Sequence, residues 1–474
     1  MKLFTVKLTT LKSKLYAIVF ASLVVRVVAF LVLPTTPSNL APDEGTYGAV
    51  AKWTALGKPA TEFPAFGADL YQSGRSLLLP AALFNKIGFN PLNAVRFTAT
   101  IYGFLLVCLI VTIMLKTALK HIKFAEFIDQ NPRIFFSLFS IFVLLPSNFV
   151  WSILGLRESA TQFWVVSAFS LLFLILHLNK KASLSATCGF LFSIIATFSA
   201  RPQVGWVLGV TLLLYLLVRI RSRIARLLIP ITVLGIVFGY TATVGFSIEV
   251  SETYTVMKET PTASPAPEDE NSASKLCSFN RQRLEFNDIF YLCESHIEKK
   301  TIVDFKNPGS AVIDQAEAIP VKHVGNKVGA ASAINTPDCP FAGTSRAETF
   351  ACIAYLAPYT TFTFLVRPML GADVTSLSSL FAAIENFFWF SAFIYVTVLF
   401  IRNRRLAFFS ALVPSLIFFS IYTVGAGAYE GNMGTAFRHK SLILWVVILL
   451  LASTIVATQQ RKAEKQGKSG SSQE

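Results

Sequence analysis

No Cys-x-x-Cys and no His-Glu-x-x-His spacing occurs in the 474 residues, which argues against a dedicated zinc site. Charge is scarce at 15%, and acids are scarcer than bases, with 27 Asp and Glu against 42 Lys and Arg. No run of alternating ten-residue segments is present, which excludes a transmembrane barrel. The glycine-rich GAGAYEGNMG at 425–434 is not followed by Gly-Lys-Ser/Thr, so it is not a Walker loop. No internal repeat marks an inverted-repeat transporter.

What the chain has is apolar length. A chain of this size would ordinarily suggest two or three soluble domains. Here the hydrophobic fraction is 53% and the mean hydropathy +0.57. Apolar stretches of about 18–25 residues recur, and a bilayer core of about 30 Å needs roughly 20 residues per helix. The expected fold class is therefore all-α, a polytopic membrane protein of about ten transmembrane helices with two large external loops.

The net charge of +15 does not point to nucleic acid, because the bases cluster between apolar runs: Lys2, Lys7, Lys12 and Lys14; Lys116, Lys120 and Lys123; Lys180 and Lys181; Arg219, Arg221, Arg223 and Arg226; Arg402, Arg404 and Arg405; Arg461, Lys462, Lys465 and Lys468. Short loops rich in Lys and Arg mark the cytoplasmic side. The run from Leu15 to Leu33 is long, contains Arg26 and ends without a small-residue cleavage site, so a retained first helix is expected rather than a signal peptide. With the N-terminus cytoplasmic, helices fall at 15–33, 97–115, 134–152, 160–178, 183–200, 203–219, 227–247, 378–400, 406–424 and 441–458, and every basic cluster lies inside. The stretches 76–90 and 351–370, broken by Pro and polar residues, read as interfacial or re-entrant.

This organisation gives an N-terminal transmembrane module, 1–247, whose first external loop, 34–94, is acidic. An external cysteine-containing loop, 248–350, a C-terminal transmembrane module, 351–460, and a basic cytoplasmic tail, 461–474, complete the chain. The linker TPTASPAPEDENSAS at 260–274 is expected to be flexible. Cys277, Cys293, Cys339 and Cys352 lie in or beside the second loop and are candidates for structural disulfides in an oxidising compartment; three pairings are open. Cys108 and Cys188 sit in apolar helices and are expected to be buried thiols.

Four local patterns combine charge with tight context: PDEGTY at 42–47, LRES at 156–159, ARPQ at 200–203 and GNMGTAFRHK at 431–440. All four fall at the outer ends of helices. Each has a plain structural role open to it. Asp43 and Glu44 would cap a helix beginning near Gly45. Arg157 and Glu158 would neutralise each other. Arg201 precedes a Pro202 well placed to start a helix, and Arg438 and His439 would snorkel to headgroups. Jointly these roles are less convincing, since snorkelling cations favour the inner side. Deeper in the bilayer, Arg26 and Glu385 each lie about seven residues, roughly 10–11 Å, from an outer end. Charges at that depth are costly unless paired, so the two are expected to pair or to share a polar cavity.

Acids and guanidinium groups gathered outside, at the membrane boundary, suit a substrate with a polar head, an anionic phosphate and a lipid tail. Arg binds phosphate oxygens bidentately. A carboxylate within about 3 Å can take the proton of an attacking sugar hydroxyl, and a guanidinium can stabilise the departing phosphate. The carboxylate's task requires no metal, although a divalent cation is compatible with it.

The arrangement resembles the GT-C superfamily of integral-membrane glycosyltransferases, which includes the protein mannosyltransferases (glycosyltransferase family 39) and the lipid A aminoarabinose transferase. The resemblance lies in the acidic motif of the first external loop, here Asp43, Glu44 and Tyr47 of PDEGTY followed by GAVAKWTALGKP, and it covers best the first 220 or so residues. It implies Asp43 as catalytic base, Glu44 supporting or sharing that role, and Glu158 as the second acid with Arg157 beside it. It implies a polyprenyl-phosphate sugar donor, for whose binding Arg201, Arg438 and His439 are candidates together with Tyr47 and Arg157. The acceptor would be a glycan, a lipid or a protein, in cell-envelope assembly at a bacterial inner membrane with the site periplasmic. Membrane lipids are the other implied partner. The competing readings are a flippase or transporter of lipid-linked saccharides and a polymerase- or ligase-like transferase.

Overall fold

A computed structural model describes residues 2–34, 36, 43–59, 67–120, 132–175, 184–219, 279–283, 289–293, 346–371, 373–374, 377–402, 409–429 and 436–448. The protein is mostly helical. In chain order the described elements are α1 (Lys2–Val32), α2 (Glu44–Ala55), α3 (Gly67–Lys86), α4 (Pro91–Lys120), α5 (Pro132–Leu144), α6 (Pro146–Ile153), α7 (Glu158–Phe173), α8 (Leu184–Ala200), α9 (Pro202–Arg219), β1 (Phe279–Arg283), β2 (Ile289–Cys293), α10 (Arg346–Val366), α11 (Leu377–Arg402), α12 (Phe409–Tyr429) and α13 (436–448). The strands form an antiparallel ribbon that pairs Phe279 with Cys293 and Arg283 with Ile289. Among the described residues, two stretches are long and apolar enough to cross a membrane, Lys12–Val32 in α1 and Pro91–Ile113 in α4. Shorter apolar helices occupy Leu184–Ala200, Pro202–Tyr215, Ser379–Tyr395 and Val413–Gly427.

The helix expected at 134–152 is two helices, and proline is the reason. A residue preceding proline is driven out of the helical region, and Leu145 adopts φ −53°, ψ 134°, while Pro146 opens α6 at a position that needs no N–H. The stretches 76–90 and 351–370 are helical through Lys86 and Val366 despite Pro80 and Pro358. The helix expected at 227–247 and the linker at 260–274 lie outside the described residues.

The chain divides into two compact units, one made of Met1–Tyr240, Leu365–Thr423 and Phe437–Glu474, the other of Thr241–Phe364 and Val424–Ala436. In the first unit α4 is central, with α1, α2, α3, α6 and α7 all packed against it. Tyr47, Val50, Leu77, Leu78, Val95, Ala99, Leu154 and Leu156 form its buried apolar cluster. In the second unit, Gly427 lets its backbone meet that of Thr360, where a Cβ would lie 2.9 Å from the Thr360 carbonyl.

Two close approaches in the first unit hold the polar helix starts in place. A Cβ on Gly155 would fall 2.5 Å from Cγ2 of Val95, so only glycine lets the α6–α7 connection lie on α4. A Cβ on Gly205 would fall 2.5 Å from the Phe198 ring, which closes the α8–α9 corner around Arg201.

Arg26 and Glu385 do not pair. Arg26 donates to the hydroxyl of Ser152 at 3.0 Å, to Ser22 and to the Val143 carbonyl at 3.4 Å, with its guanidinium 5.7 Å from the Phe149 ring centre. Glu385 accepts from the Ser147 amide at 2.9 Å, from the Ser147 hydroxyl and from the Trp389 indole at 3.0 Å. The helix dipole explains the split. The anion sits on the free N–H groups that open α6, and the cation sits by the carbonyls that end α5 and by the last turn of α6. Glu385 is thus held at the first turn of α6, and Arg26 spans from the end of α5 to the last turn of α6. The expectation of buried apolar-helix thiols also needs correction, because Cys188 is exposed and Cys108 half-buried.

Candidate functional site

Three helix starts and one later helix bring the polar patterns together in the first unit. α2 begins at Glu44, α7 at Glu158 and α9 at Pro202, and α13 carries Arg438 and His439. Helix starts expose unpaired N–H groups and attract anions, which places both acids of the site at such ends.

Asp43 occupies the N-cap position of α2, yet its side chain makes no capping bond and its backbone is helical, φ −64°, ψ −19°. The carboxylate is 49% exposed and accepts from Nη1 of Arg438 at 3.1 Å. The next residue is in a different situation. Glu44 is fully buried and accepts from Nε of Arg96 at 3.0 Å, from Nη2 of Arg96, and from the Gly155 amide at 3.1 Å. Arg96 donates further to the carbonyls of Pro34 and of Thr36, the latter at 2.9 Å. Glu44 and Arg96 therefore tie the start of α2 to α4, to the end of α1 and to the α6–α7 connection.

Glu158, 2% exposed, is the hub of the cluster. Its Oε1 accepts from Nη1 of Arg201 at 3.2 Å, lies 3.0 Å from Nε of Arg438 and 3.9 Å from Nε2 of His439. The Arg438 contact is off the N–H axis and so is ionic rather than a directed hydrogen bond. Oε2 of Glu158 has no hydrogen-bond partner among the described residues. Burial alone would raise the Glu158 carboxyl, but Arg438, Arg201 and Arg157 together hold it below its ordinary value. Arg157 does not neutralise Glu158 by direct contact. It reaches the hydroxyl of Ser73 at 2.7 Å and the Ser73 carbonyl at 3.2 Å. Tyr47 is buried beside these charges, and burial pushes its phenol up.

His439 is buried, and burial followed by the positive field of Arg201, Arg438 and Arg157 holds its imidazole well below the ordinary value. The sign comes from linkage: the unfolded chain takes up a proton near pH 6.5 and the folded chain does not, so stability is present above about 6.5 and is lost as pH falls through and below it. Thermal melting in detergent from about pH 7.5 to about pH 5 should show that loss, and His439→Gln should flatten this part of the profile. A profile identical in the two proteins would sink the assignment.

Two carboxylates, Asp43 and Glu158, thus face three guanidiniums, Arg157, Arg201 and Arg438, with the imidazole neutral. Their formal charges sum to one positive. Among the described residues no group of three or more His, Cys, Asp or Glu gathers as a metal site. Cys277 and Cys339 lie outside the described residues, as do the side chains of Cys293 and Cys352. The sequence reading missed Arg96 and Ser73. Arg96 had a signal, as a lone cation at the head of the apolar run of α4; Ser73, in a polar segment, had none.

Comparison of the chain with family models, with curated proteins and with solved structures finds no match.

Proposed function

We propose that the protein is an integral-membrane glycosyltransferase of about ten spanning helices, which moves a sugar from a polyprenyl-phosphate donor to an acceptor on the external face of a bacterial inner membrane. Asp43 takes the proton of the acceptor hydroxyl, the hydroxyl oxygen bonds to the anomeric carbon, and the bond from that carbon to the phosphate oxygen breaks. The phosphate leaves with the electron pair and is met by Arg201 and Arg438. Glu158 orients these two cations, and Glu44 holds the start of α2 so that Asp43 stays aimed. The single observation carrying this reading is the contrast at positions 43 and 44: the buried acid is committed to Arg96, while the exposed one is left uncapped beside a net-positive cluster.

A second reading, a flippase for lipid-linked saccharides, draws support from the buried polar groups inside the helical bundle: Arg26 with Ser152, Glu385 with Ser147, and Gln162 with Asn148. The two separate in proteoliposomes loaded with polyprenyl-phosphate sugars and an acceptor. The transferase releases free polyprenyl phosphate and glycosylates the acceptor. Movement of intact donor between leaflets, with its sugar–phosphate bond unbroken, would replace the transferase by the flippase.

A further inference from the structure

Arg438 touches both acids of the site, through a long side chain whose contacts leave the register of the helix that carries it to be set elsewhere. That task falls to groups on the other side of α13. Residues two apart on a helix point roughly 200° from each other, so Lys440 is directed away from Asp43 and Glu158. It is 3% exposed. Its ammonium donates to the carbonyl of Arg367, to the carbonyl of Leu365 at 3.3 Å and to Oδ1 of Asn386 at 2.6 Å. The amide nitrogen of Asn386 in turn donates to the carbonyls of Val366 and of Pro368, the latter at 3.4 Å. A helix leaves its last carbonyls without intrahelical partners, and a cation is favoured there. Lys440 and Asn386 take up the Leu365 and Val366 carbonyls of α10 and those of Arg367 and Pro368 just beyond it, while the turn is closed by Arg367 against Asp373 at 3.5 Å and by the Met369 amide on Asp373 at 2.8 Å.

The residue before Asn386 has the complementary task. Glu385 seats the N-terminus of α6 through Ser147, and α6 runs into the connection whose Gly155 amide meets Glu44. Adjacent residues on α11 therefore fasten two separate pieces of the site. α13 is pinned at two further points, by Gln162 donating to the Ser441 carbonyl at 2.9 Å and by Tyr422 donating to the His439 carbonyl at 3.3 Å. Both are neutral hydrogen bonds. Among the described residues the Lys440 contacts are the charge-assisted ones on the face of α13 turned away from the site, and such bonds are roughly twice as strong.

We propose that Lys440, seated on Asn386 and the C-terminal carbonyls of α10, is a positioning residue that sets the register of α13 and so the aim of the Arg438 guanidinium at Asp43 and Glu158. The inference rests on the transferase reading for its functional consequence but not for its structural one. Lys440 touches no substrate; it acts through Arg438.

The test has two arms, each on full-length protein in nanodiscs. In the first, amide hydrogen exchange is followed in wild type, Lys440→Met and the milder Asn386→Ala. Exchange over 436–441 should rise about tenfold or more in Lys440→Met, and less in Asn386→Ala, with peptides of α2 and α4 unchanged. Wild-type protection over 436–441 in both variants overturns the inference, whatever the protein's activity. So does a rise spread evenly over all helices, which marks a merely structural lysine. In the second arm, transfer per folded molecule is compared in Lys440→Met, Arg438→Ala and the double variant. Misaiming by about 1 Å costs about 100-fold, so Lys440→Met should fall by that order. It should add little in the Arg438→Ala background, because the two losses are one loss. Fully additive losses overturn the positioning role. If wild type transfers sugar from no polyprenyl-phosphate donor, the transferase reading fails while the exchange arm still decides the inference.

Discussion

Glu44→Gln is expected to lower the stability of the protein by about 3–5 kcal/mol, the cost of stripping one partner from a buried ion pair. The magnitude reflects what is left behind. Arg96 is 1% exposed, and without the carboxylate its charge is left, among the described residues, with neutral acceptors: the carbonyls of Pro34 and Thr36 and whatever the Gln amide offers. The single carbonyl oxygen of Gln cannot accept all three bonds that the Glu44 carboxylate takes from Arg96 and the Gly155 amide, and an unsatisfied buried donor costs about 1–3 kcal/mol. Arg96→Met should destabilise by a similar amount, leaving an uncompensated carboxylate. The double variant Glu44→Gln, Arg96→Met should recover part of the sum, since the two groups share one interaction. Melting curves in detergent and the yield of folded protein are the readouts. A Glu44→Gln protein that melts like wild type but has lost transfer would move Glu44 from positioning into the chemistry.

Asp43→Asn should have the opposite profile. Its carboxylate is half-exposed, caps nothing and meets Arg438 in a pair open to water. Exposed pairs contribute about 0–1 kcal/mol, so stability should change little. The transfer rate, however, should fall by about 10²–10⁴, the usual contribution of a positioned general base. Asparagine keeps the shape and can still accept a hydrogen bond from Arg438, but it cannot take the acceptor's proton. A Michaelis constant for the donor that stays near wild type would place the loss in the chemical step. Stability and activity thus separate at neighbouring residues, with Glu44→Gln losing the first and Asp43→Asn the second.

That neighbouring acids part company was not legible in the sequence. Successive residues on a helix point about 100° apart, so one of the two had to turn inward, but nothing in PDEGTY says which. The answer depends on Arg96, 52 positions away. The helices at 15–33, 97–115, 160–178, 183–200, 203–219, 378–400 and 406–424 were legible, because apolar runs of about 20 residues leave few alternatives, whereas α2 and α3, shorter or more polar, were not legible that way. The break at Leu145 was not read from the sequence, although Pro146 carried the signal for it. The partners of Arg26 and Glu385 were not: serines and a tryptophan, distributed along the chain, satisfy them, and hydroxyl groups on apolar helices carry no pattern of their own. The gathering of LRES, ARPQ and Arg438–His439 around one carboxylate was foreshadowed by their common place at helix ends. Which acid stood at its centre, Glu158 rather than Asp43, required coordinates.

The extracellular glycan profile of cells carrying Asp43→Asn, beside wild type, tests the central claim most directly, with the variant shown to reach the membrane at normal level. The account predicts that one glycan disappears while its polyprenyl-phosphate-linked sugar donor accumulates. An unchanged profile with no accumulating donor would contradict Asp43 as the base and the transferase built around it.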